Sequence, residues 1–147
     1  MIPPFDCRGN LPAGIHDAAW QEFVERFGST PRRRYLLEGL KAALECLRAA
    51  GCRRVYINGS FVTAKKSPGD FDGCWDAEGV DLEKLDPVFL IFADRRAAQK
   101  AKYRGGFFTA DMTVGGSGGT FLSFFQTDRE TGDAKGIVHI DLGSLEP

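Results

Sequence analysis

The chain has 147 residues, 43% hydrophobic and 27% charged, with 19 Lys and Arg against 20 Asp and Glu. This composition suits one globular domain with a real core and excludes a disordered, fibrous or coiled-coil chain. The net charge of −1 argues against broad nonspecific binding to nucleic acid and leaves room only for a local basic groove. No apolar run approaches the ~20 residues of a bilayer span. The start, MIPPFDCRGN, lacks the layout of a signal peptide. A cytoplasmic protein with no membrane partner is the expectation.

Residues 1–15 contain Pro3, Pro4, Gly9, Pro12 and Gly14 and read as an irregular arm, pinned by Ile2, Phe5, Leu11 and Ile15. In 16–27, Trp20, Phe23, Val24 and Phe27 recur at helical spacing before Gly28, which predicts a short helix. A second helix follows from Thr30 as N-cap, Pro31 at the first helical position and the stripe Leu36, Leu37, Leu40, Ala43, Leu44 and Leu47, with Gly51 ending it. Arg32, Arg33 and Arg34 fall in its first turn, the wrong end for the helix dipole. They read as a solvated helix start or as a cationic edge for phosphate or an acidic partner.

RRVYIN (53–58) predicts a strand, broken by Gly59 and Ser60. A loop or short helical turn leads through Lys65 and Lys66 to a second strand at 70–76. Residues 81–104 read as mostly helical with a break near Asp86-Pro87. Their basic, Ala-rich stretch 93–103 is a surface helix stopped by Gly105-Gly106. A third strand is expected at 107–113, a link at GGSGG (115–119), either a helix or a strand at 120–128, and a final strand at 136–142. The expected architecture is one α+β domain over 1–147: a mixed sheet of these four strands, covered by the first two helices and 93–103. Cys7, Cys46, Cys52 and Cys74 show neither C-x-x-C nor zinc-like pairing with His16 or His139, so reduced thiols are expected.

The informative segment is NGSFVTAKKSPGDFDGCW, residues 58–75. Strand alternation puts Asp70 and Asp72 on one face and Phe71 on the other. Two carboxylates about 7 Å apart on one face repel unless a cation lies between them. Their oxygens suit Mg²⁺ or Mn²⁺. Two metals ~3.5–4 Å apart can activate an attacking oxygen and stabilise a leaving one. Gly59 lets a ligand approach the backbone, Ser60 offers a hydroxyl and an N–H to phosphate, and Lys65 and Lys66 can neutralise a triphosphate tail.

Gly59-Ser60 at a strand end, nine residues, then Asp70-Phe71-Asp72 resembles the nucleotidyltransferase superfamily of DNA polymerase beta. From IPPF to KGIVHIDL, the chain also looks like a small bacterial and phage family placed in that superfamily. The resemblance implies a nucleotidyltransferase fold and transfer of a nucleoside monophosphate, most simply AMP, from an NTP with Mg²⁺ or Mn²⁺. The acceptor would be a hydroxyl on protein, RNA or a small molecule. Triphosphate contact carries over to Gly59 and Ser60, and metal ligation to Asp70 and Asp72. The family's third acid, a metal ligand and proton acceptor, falls best on Asp111, with Asp141 a weaker competitor.

Two positions depart from the pattern: Asn58 before Gly59 and Gly73 after Asp72, where the family has hydrophobes. An acceptor-holding helical second domain is not evident either. The rival reading is therefore an inactive module of the same fold that binds nucleotide or a protein partner, as in toxin–antitoxin or phage-defence pairs. Trp75 and Phe61 read as core or as base-stacking surfaces. Neither histidine reads as catalytic.

Overall fold

The structure is a computed structural model and describes residues 2–110, 126 and 134–145. In chain order it contains strand β1 (Gly14–Ala18), helices α1 (Trp20–Phe27) and α2 (Pro31–Ala49), strands β2 (Arg54–Asn58) and β3 (Phe71–Trp75), helix α3 (Ala93–Tyr103), and strands β4 (Gly105–Thr109) and β5 (Gly136–Asp141). The strands form one mixed sheet in the order β1-β5-β2-β3-β4. β2 runs antiparallel to both of its neighbours, β5 and β3, while β1 pairs parallel with β5 and β4 parallel with β3. The fold is α+β, as expected.

Alternation along the strands assigns Val55, Ile57, Phe71, Trp75, Phe107, Val138 and Ile140 to one face. They share a core with Phe23, Phe27, Leu36, Leu40, Leu44 and Leu47, and each is at most 1% exposed. Burying such a side chain contributes about 1.5–3 kcal/mol. The opposite face carries Asp17, Tyr56, Asn58, Asp72, Cys74, Phe108 and His139. α3 lies along the β4 edge, where the Gln99 side-chain oxygen accepts the Phe107 N–H at 2.8 Å. Phe89 stacks on Tyr103 of α3 and meets Phe107 edge-on.

Three expectations are corrected. Residues 14–18 are a strand, not the end of an arm and the start of a helix. β1 pairs with β5 from Gly14↔Gly136 to Ala18↔Ile140, and the helix begins at Trp20, where its apolar spacing begins. Gly136 makes this possible: a Cβ there would stand 2.1 Å from the Pro12 carbonyl oxygen. Among the described residues the sheet thus has five strands, β1 being the one not expected.

The region 81–104 is less helical than expected: turns and a 3₁₀ segment at Pro87–Leu90, whose Val88 N–H is capped by Asp86, precede α3, and α3 itself opens on a left-handed turn at Asp94, Arg95 and Arg96 before its regular part. Gly105 and Gly106 do not stop that helix. Arg104 does, in left-handed conformation at φ 72°, and the glycines open β4 because a Cβ at Gly105 would lie 2.5 Å from the Phe71 ring. The remainder of the expected third strand, GGSGG and most of 120–128 lie outside the described residues. All four cysteines are free. Among the described residues, no helix is long and apolar enough to cross a membrane.

Candidate active site

β2 ends at Asn58, the chain turns through a 3₁₀ segment at Gly59–Val62, and β3 returns beside it with Asp72 opposite Asn58. Two arginines in the first turn of α2 fix the loop between these strands. Arg33 is 4% exposed and donates to the carbonyls of Phe61 at 2.6 Å and of Thr63 and Lys65 at 2.7 Å. Burial lowers its pKa. Arg32 donates to Pro68 O at 3.1 Å. The placement that conflicts with the helix dipole is explained by these carbonyls, and Arg33 is neither a solvated helix start nor a phosphate edge.

The turn brings the two halves of the motif together. Gly59 has φ +75°, and a Cβ there would lie 3.0 Å from Asp72 Oδ2. Only glycine adopts this backbone without strain and leaves the carboxylate its place. Asp70 and Asp72 do not simply repel across open space. Arg96 Nη2 donates to Asp72 Oδ1 at 2.9 Å, and Lys100 Nζ lies 3.6 Å from Asp70 Oδ2. Burial raises the Asp72 pKa, Arg96 pulls it back, and Asp70 raises it again, with a net rise. The Arg96 guanidinium lies 4.3 Å over the Phe108 ring, which itself stacks on Phe92.

Two carboxylates with a neutral amide beside them are hard oxygen donors of the kind Mg²⁺ and Mn²⁺ take. The missing Cβ of Gly59 keeps a methyl group off Asp72 Oδ2. The donor chemistry fits such an ion, with Asp70 and Asp72 as its holders. Among the described residues, no three His, Cys, Asp or Glu side chains converge as a ready metal site. Asp111, the expected third ligand, lies outside the described residues. Asp141 serves as a local cap, its Oδ1 accepting the Gly143 N–H at 2.9 Å.

Lys65 and Lys66 border, with Arg26, Thr30 and Thr63, a depression of about 170 Å³ that is lined by neither Asp70 nor Asp72. The cations beside Asp70 are others. Arg32, Lys100 and Arg104 line a depression of about 240 Å³ together with Tyr35 and Asp70. Arg104 and Arg32 lie 3.8 and 5.4 Å over the Tyr35 ring. The signal for this group was present in the sequence: Arg96, Lys100 and Arg104 recur every four residues, the spacing of one helix face.

Trp75 and Phe61 are 1% and 0% exposed and belong to the core, not to a base-stacking surface. His16, expected at a helix start, lies in β1 and donates from Nε2 to Pro12 O at 2.6 Å. Elsewhere, Asp17, Arg54, Tyr56, His139 and Asp141 line a depression of about 490 Å³, in which His139 Nδ1 donates to Asp17 Oδ1 at 2.8 Å.

Residues 3–141 match a family of unknown function, DUF6932. The chain belongs to that family. No curated protein and no solved structure matches it. The matched span holds the arm, the arginine clamp, both halves of the motif and β5, so the site lies wholly within the family's common unit.

Proposed function

We propose that the Gly59-Ser60 turn and the Asp70/Asp72 pair form a nucleotidyltransferase site that moves a nucleoside monophosphate, most simply AMP, from an NTP to a hydroxyl acceptor. The observation that carries this reading is the close approach of Gly59 to Asp72 Oδ2, with 3.0 Å between that oxygen and the place of a Cβ. It brings the Gly59-Ser60 turn, whose N–H and hydroxyl would serve a phosphate, up to Asp72. The acceptor oxygen would attack the α-phosphorus, forming an O–P bond while the bond to the β-phosphate oxygen breaks. Pyrophosphate leaves with that electron pair, and the hydroxyl proton passes to a carboxylate or to water.

When bound, Mg²⁺ or Mn²⁺ at Asp70 and Asp72 would neutralise phosphate charge and acidify the attacking hydroxyl. Ser60 would orient one phosphate oxygen. Arg32, Lys100 and Arg104 would hold the outer phosphates, in the role first expected of Lys65 and Lys66. Four free cysteines suit a reducing, cytoplasmic setting.

One observation favours a second reading. Both acids already have cations, Arg96 and Lys100. A module of this fold that binds nucleotide or a protein partner without turnover, as in toxin–antitoxin or phage-defence pairs, would keep such ion pairs, whereas transfer requires Arg96 to yield Asp72. Incubation with α-labelled NTPs, Mg²⁺ and cell lysate separates the two. Transfer predicts a labelled acceptor and pyrophosphate, both lost in Asp72→Asn. Binding without turnover predicts neither, but an NTP-induced rise in Tm, since a ligand at about 100 times its Kd adds about 2.7 kcal/mol. No shift with any NTP would end both nucleotide readings.

A further inference from the structure

Asn58 is 1% exposed, and among the described residues neither its Oδ1 nor its Nδ2 has a hydrogen-bond partner. Leaving a buried amide unpaired is destabilising, and a hydrophobe at this strand end would avoid that cost. The fold itself therefore gives no reason for an asparagine. Its position does. Asn58 stands directly opposite Asp72 across the antiparallel pair β2/β3. Residues so opposed share a face, with Cβ atoms about 5 Å apart.

Asp72 Oδ1 is held by Arg96 Nη2, while Oδ2 turns toward the Asn58-Gly59 end. Arg96 Nη1 is likewise buried without a partner. An acceptor and a donor on one buried amide, at the strand position opposite a carboxylate, call for a ligand that pairs positive with negative charge.

We propose that Asn58 is a ligand-holding residue of this site, a role that rests on the nucleotidyl-transfer reading. Its Oδ1 joins Asp72 Oδ2 as an oxygen pair for a divalent cation. Its Nδ2 donates to a phosphate oxygen of the nucleotide that accompanies that cation. Amide oxygens are ordinary ligands of hard divalent ions, and N–H groups bond well to anionic phosphate oxygen. The asparagine that departs from the superfamily pattern thus becomes part of the binding machinery.

The test is Mn²⁺ alone, titrated into the full chain and followed by loss of the free-ion EPR signal, with urea melts in parallel. Wild type binds, and Asp72→Asn abolishes binding. Asn58→Leu weakens binding at least about tenfold, while its metal-free urea midpoint matches or exceeds wild type because the unpaired amide is gone. Asn58→Asp tightens binding, and it decides the matter if the leucine variant does not fold: unchanged affinity there overturns the proposal. Wild-type affinity in Asn58→Leu, with Asp72→Asn still inactive in binding, removes Asn58 from the site and leaves a water as the amide's partner. If wild type binds no Mn²⁺ at millimolar concentration, the transfer reading falls together with this role.

Discussion

The Arg96 guanidinium meets the Asp72 carboxylate at 2.9 Å from the end of a left-handed turn, Asp94 to Arg96, with φ of 53, 56 and 64°. Left-handed backbone costs about 1–2 kcal/mol for each such residue. The turn persists because its last side chain is held twice, by Asp72 and by the Phe108 ring. Lys100 repeats the arrangement toward Asp70.

Arg96→Met strips Asp72 of its cation. The pair is only 12% and 27% exposed, between the surface and buried cases, so the expected loss is about 1–3 kcal/mol by urea denaturation at neutral pH. Adding Asp72→Asn should restore most of that loss. Simple additivity of the two changes in a double-mutant cycle would mean that Arg96 acts through Phe108 alone.

Gly59→Ala places a methyl group 3.0 Å from Asp72 Oδ2 on backbone at φ +75°. The strain should lower stability by about 1–2 kcal/mol. The sharper expectation is functional: the folded variant loses the NTP-induced rise in Tm. An undiminished rise would separate this glycine from nucleotide binding.

Arg33→Met removes the donor to the carbonyls of Phe61, Thr63 and Lys65 and leaves these acceptors beside an apolar chain. A loss of about 3 kcal/mol or more is expected, with faster proteolysis between residues 61 and 66. Arg33→Lys should not rescue it, because a single ammonium cannot span the positions a guanidinium fork reaches. Near-wild-type stability of the lysine variant would refute the clamp.

The elements read correctly from sequence are those whose signals are local. Thr30-Pro31 and the leucine stripe specify α2, and the Gly59-Ser60 break and the Asp70–Asp72 alternation fix where the motif folds back. β1 was not legible because its partner, β5, lies more than 100 residues away, and nothing in GIHDA alternates strongly. The cationic partners of the acids were missed for a related reason. Arg96 and Lys100 look like a solvated helix until the sheet edge places β3 beside it. Asn58 departs from the pattern in the sequence, and its burial at the end of β2 emerges only from the fold.

Asp86 offers a pH test remote from the acids. Burial alone would raise its pKa, but the Lys102 ammonium, the Val88 N–H at 3.0 Å and the Tyr103 hydroxyl at 2.7 Å hold it below its usual value. A carboxyl lowered on folding contributes stability that is present above its unfolded pKa of about 4 and lost as pH falls through the folded pKa. Asp86→Asn should therefore cost about 1 kcal/mol near neutrality, the scale of a lost cap, and should flatten the acid limb of the stability profile. An acid limb as steep as wild type would show that other carboxylates dominate.

The last prediction decides which cations hold the outer phosphates. Lys65 and Lys66 are close to Ser60 in sequence, but they line a depression that neither acid reaches. Arg32 and Arg104 flank Tyr35 in the depression lined by Asp70. Lys100 makes an ambiguous probe, since removing it takes away a phosphate partner and also frees Asp70. The comparison is therefore Arg32→Ala and Arg104→Ala against Lys65→Ala and Lys66→Ala, measured as calorimetric affinity for a non-hydrolysable ATP analogue with Mg²⁺, with urea melts in parallel because Arg32 also holds the Pro68 and Gly69 carbonyls and Arg104 the Tyr35 carbonyl and Glu38. Each arginine change should weaken binding about tenfold, equal to about 1.4 kcal/mol, and should reduce the salt dependence of binding, because screened charge attraction is what has been removed. The lysine changes should stay within about twofold. The opposite ranking would put the phosphates on the far side of the α2 start and return Lys65 and Lys66 to the site.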